Sequence, residues 1–207
     1  TNMSDSWQVV QLNRSYDSMV VVATANYTSN QLPAVVRIRN ASGNQFEAMV
    51  QNPSGASLSG YTMYYMAVEE GVYSEAEHGA RMEAVKYSST VTDQDDNWTG
   101  ELRPYANAYT SPVVLGQVMS ANDPGWSVFW SCGDSRQDPA SAATLKAGKH
   151  VGNDSNPNRA DETIGYVVIE EGSGEISGVD FAAATGSLSV EGCDNGAPFN
   201  YTLAGSV

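Results

Sequence analysis

The chain repeats itself, and the repeat restricts the fold more than any other feature. Tyr16-Asp-Ser18-Met-Val20-Val21-Val22 returns as Tyr109-Thr-Ser111-Pro-Val113-Val114-Leu115. Tyr65-Met-Ala-Val68-Glu69-Glu70-Gly71 returns as Tyr166-Val-Val-Ile169-Glu170-Glu171-Gly172. The anchors recur in order at offsets of 93 and 101 residues, which fits one longer loop in the second copy between matching strands. Both anchors are rich in β-branched and aromatic residues, so the duplicated unit is built from strands. A tandem β-repeat favours a modular binding or structural protein over a single catalytic pocket.

The pattern between the anchors agrees. Val36, Ile38 and then Phe46, Ala48, Val50 alternate with Arg37, Arg39, Glu47 and Gln51, the period-two signature of strands with one wet face. Further strands are expected over Trp7–Leu12, Met19–Ala25, Tyr61–Val68, Val113–Met119, Trp126–Trp130, Thr144–His150 and Ile164–Ile169. Asn40-Ala-Ser-Gly43-Asn, Asn52-Pro-Ser-Gly55, Asn122-Asp-Pro-Gly125 and Asn195-Gly196 carry the turn chemistry between strands. Ser74–Glu83 is the one helix candidate, interrupted by Gly79 and equally readable as loop or strand. The expected fold is all-β: two tandem antiparallel β-sandwich units with the first strand of a third. The first unit spans 1–75, a connector 76–92, the second unit 93–178, and 179–207 is a linker and the start of a third unit. Gly196-Ala-Pro-Phe199-Asn-Tyr201-Thr-Leu203 resembles Asn97-Trp98-Thr-Gly-Glu-Leu102 at the opening of the second copy.

Charge narrows the partners. A formal net charge of -14 repels phosphate backbones, which argues against nucleic acid as a partner. The longest apolar run, near Val20–Ala25, falls far short of a membrane span. Opening at Thr1 without a signal-like segment, the chain reads as a processed product or a segment of something larger. Asn-X-Ser/Thr acceptors lie at Asn2, Asn13, Asn26, Asn40, Asn97, Asn153 and Asn200, so glycosylation in a secretory pathway is expected alongside the alternative that composition alone produces them. Cys132 and Cys193 are an even number in a chain of extracellular character, and a disulfide between them is expected. Localisation is accordingly expected to be secreted, extracellular or at the cell surface.

No HExxH, GxSxG, P-loop or dinucleotide fingerprint occurs, and no enzymatic activity is expected. Glu69-Glu70 and Glu170-Glu171 stand at strand ends, where adjacent residues face opposite ways, so their repetition points to a structural role. Asp93, Asp95 and Asp96 offer loop oxygens to calcium, against the alternative of a solvated acidic loop; no other cofactor is implied. The densest mixture of chemistry is Lys149 to Thr163. His150, Asp154, Arg159, Asp161 and Glu162 there, beside Trp126 and Trp130, combine aromatic faces with planar polar groups of the kind that read sugars. The alternative is that the two tryptophans fill the core.

The order of elements, closing in each copy on Tyr-x-x-Val/Ile-Glu-Glu-Gly, resembles the H-type lectin domain. That domain is a small antiparallel β-sandwich whose last strand carries an aromatic-x-Ala motif comparable to Tyr65-Met-Ala67. It is also similar to tandem β-repeats of large secreted surface proteins, some beside polysaccharide-degrading domains. The resemblance implies a glycan or polysaccharide as partner. Two functions are therefore expected to compete. One is a non-catalytic structural or adhesive repeat of a surface or filament-forming protein that associates with itself, head to tail or by strand exchange. The other is a carbohydrate-binding module that targets a polysaccharide.

Overall fold

The computed structural model describes residues 2–26, 32–186 and 202. In chain order the elements are β1 (Asn2–Met3), β2 (Gln8–Tyr16), β3 (Met19–Asn26), β4 (Val35–Gln51), β5 (Tyr61–Glu69), β6 (Gly71–Tyr73), α1 (Glu75–His78), β7 (Met82–Ser89), β8 (Thr92–Asp93), β9 (Glu101–Leu102), β10 (Pro112–Val118), β11 (Val128–Cys132), β12 (Lys146–His150), β13 (Glu162–Glu170), β14 (Gly172–Ile176) and β15 (Val179–Ala183). The fold is all-β with several antiparallel sheets, as the alternation requires. The helix candidate shrinks to the single turn α1, closed by Gly79 in the left-handed conformation.

Two sheets serve the first half, β1-β5-β3 and β2-β4; two serve the second, β10-β13-β7-β6 and β11-β12-β8, with β9 on the side of β12. Phe46 of β4 meets Tyr65 of β5 edge-on at 5.2 Å, closing one layer on the other. Phe129 and Tyr166 stack at 6.5 Å in the second half. Strand β13 is buried along both faces. Its Ile164, Tyr166 and Val168 join Tyr109, Val118 and Leu145, whereas Val167 and Ile169 belong to the larger core with Val20, Val21 and Phe46. A cluster of apolar side chains thus runs without interruption from one half into the other. At the junction β13 carries Gly165, where a Cβ would run into Met119 Sδ and come within 3.2 Å of Val20 Cγ1.

The duplication is visible in the register. Met19 pairs with Glu69 and Val20 with Val68 in β3–β5; Pro112 pairs with Glu170 and Val113 with Ile169 in β10–β13, the same partners at the same two offsets. The hairpin after each Glu-Glu-Gly recurs as well. Gly71↔Ala84 and Tyr73↔Met82 in β6–β7 correspond to Gly172↔Ala183 and Gly174↔Phe181 in β14–β15. Gly79 and Gly178 stand at matching places with φ of 82° and 81°, a conformation that favours glycine.

Three expectations need correction. Residues 76–92 are no connector, because β7 runs through them and pairs with β13 over eight residues. The charge of Glu83 disguised a central strand: Glu83 is fully buried, its carboxylate accepting the N–H groups of Ala106 and Asn107 at 2.9 and 3.0 Å. The turn expected at Asn40–Asn44 is instead the middle of the continuous strand β4. Asn40 and Gly43 adopt φ of 52° and 59°, and the register with β2 shifts between Gln11 and Tyr16, so these residues bend the strand without ending it. Lastly, Cys132 is not bridged. It is a buried free thiol on β11 whose S–H donates to Gly133 O at 3.5 Å, and burial pushes its pKa up, which keeps it protonated. Its expected partner Cys193, the acceptor Asn200 and the strand from Gly196 lie outside the described residues.

Candidate functional site

The repeated anchors form a clasp. In the first half, the Glu69 carboxylate accepts the N–H of Asp17 at 3.0 Å and the N–H of Ser18, Tyr16 O–H donates to Ala67 O at 3.1 Å, and Glu70 N–H donates to Ser18 O at 2.7 Å. In the second half, Glu170 accepts the N–H groups of Thr110 and Ser111 at 2.9 and 2.6 Å, Tyr109 O–H donates to Val168 O at 3.4 Å, and Glu171 N–H donates to Ser111 O at 2.9 Å. Each carboxylate neutralises two orphan donors in the turn that launches the Val-rich strand, and each tyrosine pins that turn to the last strand. Sequence reading found the residues but not their bonds.

Carboxylates elsewhere do the same. Asp93 accepts the N–H groups of Thr99 and Gly100 at 2.8 and 3.0 Å, and Glu162 those of Asn122 and Asp123 at 3.1 and 2.9 Å. With Glu69, Glu83 and Glu170, these carboxylates each hold two consecutive backbone N–H groups, a charge-assisted arrangement that fixes a loop. The signal for Glu83 was an acidic residue between the apolar Met82 and Ala84, and for Glu69 and Glu170 their repetition at strand ends.

Of the calcium candidates, this arrangement takes up Asp93. Asp93 is fully buried and also accepts Trp130 Nε1–H at 3.1 Å, so its oxygens are taken by N–H donors. Asp95 and Asp96 are exposed, and among the described residues no group of three or more His, Cys, Asp or Glu side chains is placed to hold a metal ion.

The candidates for sugar recognition do not line one surface. Trp130 is buried on β11, and Trp126 lies half-buried just ahead of that strand, its carbonyl accepting Arg159 Nε–H at 2.9 Å. Arg159, with its side chain 2 % exposed, also donates to Asn156 O and Asn158 O and pairs with Asp154 at 2.7 Å. Asp154 is held below the usual carboxylate range by the Asn156 N–H and by Arg159. Glu162 is buried and additionally accepts Ser120 O–H. Asp161 is exposed, with its carbonyl taking Asn122 Nδ2–H at 2.7 Å. The loop from Asn153 to Glu162 is therefore stapled from within: the charged groups of Asp154, Arg159 and Glu162 are taken by each other, by the backbone and by Ser120, while the Asp161 side chain stays exposed.

His150 closes β12 against two indoles. Its ring stacks on Trp98 at 3.8 Å, with Trp130 edge-on to Trp98 at 5.2 Å. Nδ1 accepts Gly152 N–H at 2.9 Å, so the proton of the neutral ring sits on Nε2. Burial lowers the His150 pKa. His150 Nε2 and the indole nitrogens of Trp98 and Trp126 are buried without a hydrogen-bond partner among the described residues. Trp98 escaped the sequence reading because it lies outside the loop that drew attention.

No family model, curated protein or solved structure matches the chain. Tyr65-Met-Ala67, which carried the resemblance to H-type lectins, has local duties here: Tyr65 packs on Phe46, and Ala67 O receives the Tyr16 hydroxyl. Of the glycosylation candidates, Asn2, Asn13, Asn26, Asn40, Asn97 and Asn153 are all exposed.

Proposed function

We propose that this chain is a non-catalytic structural or adhesive repeat module of an extracellular or surface protein, built to be joined to further units of its own kind. The observation that carries this reading is the handover between units. After Glu69-Glu70 the last strand of the first half continues into β6 and pairs with β7, the strand that lies beside β13 in the second half. After Glu170-Glu171 the same handover is made again, to β14 and β15. Exposed acceptor asparagines suit a glycosylated surface protein.

The register specifies the test. Asn2 pairs with Thr62 as Ser88 pairs with Thr163, and Phe181 occupies the place of Met82, so a fusion in which Gly186 is followed directly by Asn2 of a next copy keeps the strand phase. That fusion is expected to unfold at a higher temperature than the single chain, because nearest-neighbour contacts are added. Inserting one residue at the joint reverses every side chain beyond it and should abolish the gain. Equal melting of the two fusions would sink the array reading.

One observation favours the second reading, a carbohydrate-binding module: the buried indole N–H groups of Trp98 and Trp126 have no partner among the described residues, Trp98 stacking on His150 and Trp126 lying 3.5 Å from the Cβ position of Gly152, whose N–H donates to His150 Nδ1. Retention of the chain on insoluble polysaccharides, lost in Trp126→Ala, would support it over the structural reading.

A further inference from the structure

We infer that the β14–β15 hairpin of one molecule docks on the β5 edge of a second copy, building a head-to-tail filament. The inference rests on the repeat reading above but concerns separate chains, and its template is the chain's own β7–β13 pairing.

The two surfaces are halves of one interface, displaced by a unit. In the second half, β13 is flanked by β10 on one side and β7 on the other; in the first half, β5 is flanked by β3 and, on the other side, by β1 at Tyr61 and Thr62. The stretch from Tyr65 to Glu69 has no strand beside it on that side among the described residues. Among the described residues, strand β15, the counterpart of β7, is paired with β14 alone.

Hydrogen-bond direction matches the outward-facing backbone groups, with Ala67 O shared with Tyr16 O–H as Val168 O is with Tyr109 O–H in the template, and Glu69 O also accepting Tyr73 O–H. Glu70 N–H donates to Ser18 O, so in the β3–β5 ladder the backbone groups of residues 66 and 68 point to β3 and those of Tyr65, Ala67 and Glu69 point away. In the internal template Glu170 N–H donates to Arg81 O, and Val168 lies opposite Glu83. Shifted by one unit, Ala67 of the second copy faces Ala182 and Glu69 faces Asp180. Both strands carry exposed apolar residues. Tyr64 and Met66 on β5 are 59 % and 37 % exposed, and Val179 on β15 is 67 % exposed where its counterpart Ala80 is buried. An open sheet edge with apolar neighbours is the usual substrate of strand addition.

One substitution between the units sets the strength of the contact. Arg81 lies 3.5 Å from Glu170 in the template, whereas Asp180 meets Glu69 in the intermolecular pairing. Two carboxylates there, on chains of net charge -14, make the association weak at low ionic strength and stronger in salt.

The full chain at rising concentration in sedimentation velocity is expected to form species beyond the dimer, since a heterologous contact does not close. Asp180→Arg should tighten association by about tenfold, a like-charge contact replaced by an attractive one. Ala182→Pro removes an outward N–H of the hairpin and Ala67→Pro one of the receiving edge, and each is expected to stop growth on its own. Circular dichroism checks that both variants stay folded. Mixing the two leaves one intact hairpin and one intact edge, so a heterodimer that grows no further is the expected result. A monomer at every concentration and salt for both the native chain and Asp180→Arg would overturn the inference, as would oligomers indifferent to the proline substitutions. Neither result touches the fusion experiment, which joins units within one chain.

Discussion

At the scale of residues, the acidic character of the chain is largely put to use inside it. Glu162 illustrates the energetics: a buried carboxylate takes two backbone N–H groups and the Ser120 hydroxyl, and its truncation leaves all of them unanswered. Glu162→Ala is expected to cost about 3 kcal/mol, read as a lowered urea midpoint with an unchanged slope, because each unmet buried donor carries its desolvation penalty. His150 supplies a pH dependence. Its folded pKa is depressed from 6.5 by burial, so the unfolded chain binds the proton more readily. Stability contributed by the neutral ring is present above about pH 6.5 and is lost as pH falls from there toward the folded pKa. Urea midpoints at pH 7.5 and 5.5 should show this loss, and His150→Gln should flatten it over that window; an unchanged slope would remove His150 as the cause. The clasp glutamates were legible as a repeated pair at strand ends. Their partners were not, since nothing local tells which backbone amides, some 50 to 60 residues away, will be left without acceptors.

At the scale of elements, Gly165 is the position where strand identity and packing meet. β13 needs large apolar residues on both faces, yet at Gly165 it admits Met119 and Val20 across the junction. Gly165→Ala is expected to destabilise by about 1–3 kcal/mol, the range for overpacking a filled core. Met119→Ala in the same chain should recover part of that loss, since the new methyl then has room; strictly additive losses would place the strain elsewhere. Most strands were readable from alternation, because one wet face leaves a period of two. The strand β7 was hidden for the opposite reason: Met82, Glu83 and Ala84 are all buried, so no wet face exists to mark the period. Strand β4 was split on the page because Asn40 and Gly43 are turn residues by chemistry, whereas the neighbouring β2 continues the ladder across them.

At the scale of the whole molecule, the core that runs from Phe46 through Val20 to Ile169 couples the halves. Unfolding is expected as one transition, with calorimetric and van't Hoff enthalpies equal. Two separated transitions would show the halves to be energetically independent. The duplication, the all-β class and the strand-end role of the glutamate pairs were determined by the sequence itself, since they depend on residue type, spacing and a two-residue period. Whether Cys132 is bridged, what Asp154 and Arg159 of the loop after His150 pair with, and which edge the β6–β7 hairpin joins were decided only in three dimensions. The physical reason is the same in each case. A thiol, a guanidinium or a free N–H takes whatever partner the packing of distant strands brings within about 3 Å, and such distances are set by the assembled sheets and not by separation along the chain.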